Sequence, residues 1–142
     1  MIKGKIRKIL VPLDGSKNSI RGLARAIYLA RQCRATITGL YVRPVPGTYS
    51  IHPISSIKIE LEKDARRFLS SAKKTSAQNG ILFSPRIIAG DPGYDVVKFA
   101  RDKKFDLIVI GARGRSSLNE VFMGSVSNYV IHKSKIPVLV VK

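Results

Sequence analysis

Cysteine occurs once, at Cys33, and tryptophan not at all. One thiol cannot close an internal disulfide, and with only two histidines, His52 and His132, a Cys/His metal cluster lacks its ligands. Long hydrophobic runs are missing too. The longest apolar stretches lie around Leu107–Ile110 and Ile136–Val141, far short of the roughly 20 residues that span a bilayer, so no membrane partner is expected. The opening Met1–Arg7 carries cations but no apolar segment of the kind that directs export. A cytoplasmic chain is the expectation. Acidic residues are scarce as well: nine Asp and Glu stand against 26 Lys and Arg, a formal charge of +17.

What is present is ordinary for a folded core, with 44% hydrophobic and 25% charged residues. The length of 142 residues fits a single domain over 1–142. The cations concentrate twice, in the group Lys3, Lys5, Arg7 and Lys8 and in the series Lys17, Arg21, Arg25. The second series recurs every fourth residue and stands on one helix face. Such a stripe is either a solvated face or a surface for a polyanion such as nucleic acid. The chain has neither an aromatic RNA-binding signature nor a zinc finger, so binding of that kind would be directed at phosphates.

Along the chain, strand and helix patterns alternate. Residues 6–13 are β-rich and end in Asp14-Gly15-Ser16, a turn followed by a helix start. From Ser16 to Cys33, Ile20, Leu23, Ala24, Ile27 and Ala30 recur at helical spacing. Thr36–Val42 reads as a second strand, after which Pro44, Pro46 and Gly47 open a loop to about Ile54. A helix from Ser56 to Asn79 follows, stopped by Asn79-Gly80. Ile81–Ala89 is a third strand, placed at an edge by Pro85. Asp91 caps the next helix, with Pro92 in its first turn and an end near Lys104. Phe105–Ile110 is a nearly continuous apolar strand, Ser125–Lys133 a helix and Pro137–Val141 the last strand. The pattern predicts a parallel α/β sheet covered on both faces. Ligands of such sheets bind beyond the carboxyl ends of the strands, which directs attention to the loops after Leu13, Val42, Ala89 and Ile110.

After the fourth strand stands Gly111-Ala112-Arg113-Gly114, then nine residues, then Gly124-Ser125 at a helix start. Glycines after a strand let backbone approach a ligand, and the free N–H groups of a helix N-terminus favour an anion. Ser125 is expected as N-cap and hydroxyl donor to a phosphate, Ser127 as a second donor, and Arg113 and Arg115 bring charge. The spacing is too long for a Walker A loop and no Lys follows the last glycine. A Rossmann fingerprint would need three glycines after the first strand. Blander roles stand beside these: Asp14 as a turn or cap residue, the arginines as solvated charge, Cys33 as a small apolar residue, and both histidines as structural.

In these residues the chain resembles the ATP-binding branch of the universal stress protein family. That branch carries glycine, two residues, glycine, nine residues, glycine and Ser/Thr, met here by Gly111, Gly114, Gly124 and Ser125. Val11-Pro12-Leu13-Asp14-Gly15-Ser16 and Ile136-Pro137-Val138-Leu139-Val140-Val141 extend the likeness over almost the whole chain. The resemblance implies an open, Rossmann-like five-stranded parallel sheet of order 3-2-1-4-5, helices on both faces, and ATP, with Mg²⁺, as cofactor. By position it implies Val42 and Pro12 at adenine and Asp14 near the ribose and the metal. It sets Gly111, Ala112 and Gly114 along ribose and phosphate, and Gly124, Ser125, Val126 and Ser127 on the phosphates; Arg113 joins the nucleotide site as loop charge. A homodimer through the terminal strand Ile136–Val141 fits the family's habit and the exposed edge that such a strand leaves. The expected function is a nucleotide-dependent regulatory or stress-response module with at most slow ATP hydrolysis, the alternative being a basic nucleic-acid-associated protein. Adenylyl-transfer chemistry is disfavoured by the loop Leu13-Asp14-Gly15-Ser16, which lacks an extra glycine-rich phosphate loop.

Overall fold

The computed structural model describes residues 4–45, 54–113 and 123–142. Nine elements alternate: β1 (Lys8–Pro12), α1 (Lys17–Cys33), β2 (Thr36–Pro44), α2 (Ile54–Gln78), β3 (Phe83–Gly90), α3 (Pro92–Asp102), β4 (Leu107–Gly111), α4 (Ser125–Lys133) and β5 (Val138–Val141). The five strands are all parallel, in the order β3-β2-β1-β4-β5, as the resemblance implies. β1 and β4, at the centre, are the apolar runs: Ile9, Leu10, Val11, Ile108 and Val109 are fully buried, because helices cover both faces.

Two apolar layers hold the sandwich. On one face Leu23, Ala26, Ile27 and Ala30 of α1 and Ala65, Leu69 and Ala72 of α2 pack with Ile9, Val11 and Ile37. On the other, Val96 and Ala100 of α3 and Val130 of α4 pack with Leu10, Leu40 and Ile108. Close approach of α1 to β4 requires small residues on both sides. A Cβ on Gly22 would stand 3.3 Å from the Gly111 nitrogen, and one on Gly111 would stand 2.6 Å from the Asn18 carbonyl oxygen.

Local signals explain most boundaries. Ser16 caps α1, its side chain accepting the Ser19 N–H at 3.1 Å. Gly80 adopts φ +74° just after α2, as the Asn79-Gly80 stop requires. Asp91 accepts the N–H groups of Gly93 and Tyr94 at 3.0 and 2.9 Å, with Pro92 in the first turn. Pro85 does lie in an edge strand, paired among the described residues with β2 alone. Other boundaries differ from expectation. β2 runs past Val42 to Pro44, because its pairing with β3 continues to the Pro44–Gly90 register. α3 ends at Asp102 rather than near Lys104, with Lys104 already at φ +57°. The expected Pro46-Gly47 break lies outside the described residues.

Candidate functional site

The carboxyl ends of β1, β2 and β4 open into one cavity of about 330 Å³, a size suited to a small organic ligand. The four loops singled out by strand order all reach it: Leu13 and Asp14 after β1, Val42 and Pro44 of β2, Pro92 after β3, and Gly111 and Arg113 at β4. One part of the wall is apolar, built from Pro12, Leu40, Tyr41, Val42, Phe68, Val96 and Ile110. The Phe68 ring meets Tyr41 edge-on, centroids 5.4 Å apart, which fixes that side. Polar groups gather elsewhere on the wall: Asp14, Arg113 and the first turn of α4, residues Gly124 to Ser127.

Asp14 performs its local task and lines the cavity as well. Its Oδ1 accepts the Ser16 N–H at 2.9 Å, the side chain folding over the turn before α1. That bond orients the carboxyl group.

At α4 the cap is Gly124, with no side-chain cap bond, and Ser125 is the first helical residue rather than the N-cap. The reason lies in the Ala112 carbonyl. It accepts the Gly124 N–H at 2.7 Å and the Ser127 hydroxyl at 2.7 Å, so the cap position is held by backbone from the end of β4. Ser127 Oγ also lies 2.9 Å from the Gly124 carbonyl oxygen, and the residue is buried. A hydroxyl has one proton. Committed to these carbonyls, it anchors the turn instead of offering the second phosphate donor expected of it. Ser125 is exposed and keeps its hydroxyl at the cavity. The N–H groups of a helix's first turn lack intrahelical acceptors, and no acidic residue occupies this one, so it is disposed to accept an anion.

Of the expected site residues, Pro12, Asp14, Val42, Gly111, Arg113, Gly124, Ser125, Val126 and Ser127 line the cavity. Ala112 stands behind it, buried, its N–H donating to Val141 and its carbonyl holding α4. Gly111 is there for packing, since its missing Cβ makes room for the start of α1 and its φ is not positive. Gly114, Arg115 and His52 lie outside the described residues. His132 falls in the last turn of α4, and Cys33 packs half-buried against the core. Sequence reasoning missed the contribution of α2, whose Leu61, Asp64 and Phe68 close one side. Their i, i+3, i+7 spacing marks one helix face; only the packing of α2 on the sheet turns that face to the cavity.

The family model of the universal stress protein family matches residues 5–142. The chain belongs to this family. Among its relatives, the universal stress protein YxiE of Bacillus subtilis is 34% identical over 145 residues, covering 95% of this chain and 98% of that one. A universal stress protein solved in complex with cAMP superposes with a TM-score of 0.77 at 26% identity, covering 98% of this chain and 99% of its own. The universal stress protein of Archaeoglobus fulgidus in complex with dAMP gives 0.73 at 26% identity, covering 96% and 98%. Among the described residues no helix is long and apolar enough to cross a membrane.

Proposed function

We propose that this universal stress protein is a single-domain, nucleotide-binding regulatory module that takes ATP with Mg²⁺ and changes its partner interactions with nucleotide occupancy. One observation carries the reading: a single cavity joins an apolar wall around Val42, Pro12 and Phe68 to the unneutralised N-terminus of α4 beside Arg113. A purine needs the first and its phosphates the second. The cAMP and dAMP complexes of two relatives support an adenine nucleotide as the ligand class.

The metal fits what is at hand. Among the described residues no cluster of three His, Cys, Asp or Glu could hold a metal, so Mg²⁺ would arrive on the phosphates. One carboxylate, with waters and phosphate oxygens, suits this ion, and Asp14, oriented by the Ser16 N–H, is that carboxylate. Bound there, the ion neutralises phosphate charge. Asp14 lies at the cavity, where it would hold the metal rather than act as a base, and His132 belongs to the far turn of α4. Binding with at most slow hydrolysis therefore suits the site better than rapid turnover.

The test is direct. Small molecules released from purified, denatured protein should carry the absorbance and mass of an adenine nucleotide, or the stripped protein should bind MgATP in calorimetry. Absence of both would overturn the reading. Phosphate release well above background and lost in Asp14→Ala would make the protein an enzyme rather than a binding module.

A further inference from the structure

The side of α2 that faces away from the cavity has a chemistry of its own. Lys63, Arg66, Arg67, Ser70, Ser71 and Lys74 line one shallow open groove, and all six are exposed. Residues 63, 67, 70 and 74 repeat at helical spacing and form a row, about 17 Å long at 1.5 Å per residue. No acidic residue lies within it: exposed Glu60 stands at its amino-terminal end, Asp64 lines the cavity, Glu62 pairs with Arg43 at 3.5 Å, and the next acid in the chain is Asp91.

The charge carried by the four helices is segregated by layer. α1 and α2, which lie side by side on one sheet face, carry ten Lys and Arg against three Asp and Glu, whereas α3 and α4 on the other face carry three against two. The +17 is thus not a uniform film. Lys17, Arg21 and Arg25 are exposed on the neighbouring α1 and widen the same plate.

We propose that this plate, centred on the α2 groove, binds the phosphate backbone of a nucleic-acid duplex. Ammonium, guanidinium and hydroxyl groups in a row are the donors that duplex phosphates take. The one aromatic residue of α2, Phe68, lines the cavity instead, so the groove offers no platform for stacking unpaired bases. An anionic membrane is the poorer match, because the apolar stripe of α2, Ala65, Leu69 and Ala72, is buried on the sheet and cannot insert. An acidic protein would need an apolar anchor that the groove does not hold. The inference stands apart from the nucleotide site, since none of the groove residues lines the cavity.

Fluorescence anisotropy with short labelled DNA and RNA duplexes, and co-sedimentation with phosphatidylserine vesicles, test it on the whole chain. Four phosphate contacts predict an affinity for duplex DNA that falls roughly a hundredfold between 50 and 200 mM salt. The variant Lys63→Gln/Arg67→Gln/Lys74→Gln should bind at least tenfold more weakly at low salt, with a salt slope reduced by about three, while binding MgATP like the parent. The charge-matched variant Lys98→Gln/Lys133→Gln/Lys135→Gln should keep parental duplex affinity. Similar binding of DNA and RNA agrees with backbone recognition. Equal losses in the two triple variants would reduce the effect to net charge and overturn the proposal. So would binding of the parent to vesicles but not to duplexes.

Discussion

At Gly111 an added Cβ would stand 2.6 Å from the Asn18 carbonyl oxygen and 3.0 Å from the Ser19 nitrogen, both backbone atoms that cannot swing away. Gly111→Ala should therefore destabilise the fold, by about 1–3 kcal/mol as for other overpacked sites, visible as a lower urea midpoint. Gly124 differs. Its φ of −66° and ψ of 156° suit any residue, so Gly124→Val should melt like the parent by circular dichroism and yet fail to bind ATP in calorimetry, because its side chain would crowd the phosphates. Parental ATP affinity in Gly124→Val would reduce the glycine motif to a loop. Ser125→Ala removes one hydroxyl at the cavity and should weaken ATP binding by about 1.5 kcal/mol or somewhat more, the worth of one hydrogen bond to a charged acceptor. The spacing of Gly111, Gly124 and Ser125 was legible as a motif, but not the separate reason for each glycine. A glycine that avoids a helix backbone and one that leaves room for a ligand are the same letter until the packing is known. Ser127 misled for a related reason: its nearest acceptor, Ala112, is fifteen residues away.

Elements were more legible than residues where the signal was local. Asp91-Pro92 announced α3, Asn79-Gly80 the end of α2, and Pro85 the edge position of β3, because each acts through its own backbone. Asp91→Ala removes two capping bonds, to Gly93 and Tyr94. It should cost about 1 kcal/mol of stability, measured by chemical denaturation. Where the signal was tertiary, sequence reading stopped short. The length of β2 depends on the Pro44–Gly90 pairing, and the placement of Leu61, Asp64 and Phe68 depends on the rotation of α2 about its axis. Strand order itself came from the family resemblance; alternation alone predicts a parallel sheet without fixing which strand lies in the middle.

For the molecule as a whole, the described sheet ends at β5, which among the described residues pairs only with β4 and leaves Leu139 36% exposed. An apolar edge of this kind invites a second copy. Light scattering at micromolar concentration should return the mass of a dimer, and Leu139→Lys, which sets a charge on that edge, the mass of a monomer. A monomeric parent would overturn the pairing. A different consequence belongs to α2, whose inner side closes the cavity through Leu61, Asp64 and Phe68 and whose outer side carries Lys63, Arg66 and Arg67. A small ligand and a long polyanion resting on opposite sides of one rod cannot be energetically independent if either displaces it. Linkage then runs both ways: whatever factor nucleotide occupancy imposes on duplex affinity, the duplex returns to the nucleotide undiminished. The molecule would report the nucleotide pool on the polyanion and the polyanion on its grip for the nucleotide, through the tilt of a single helix.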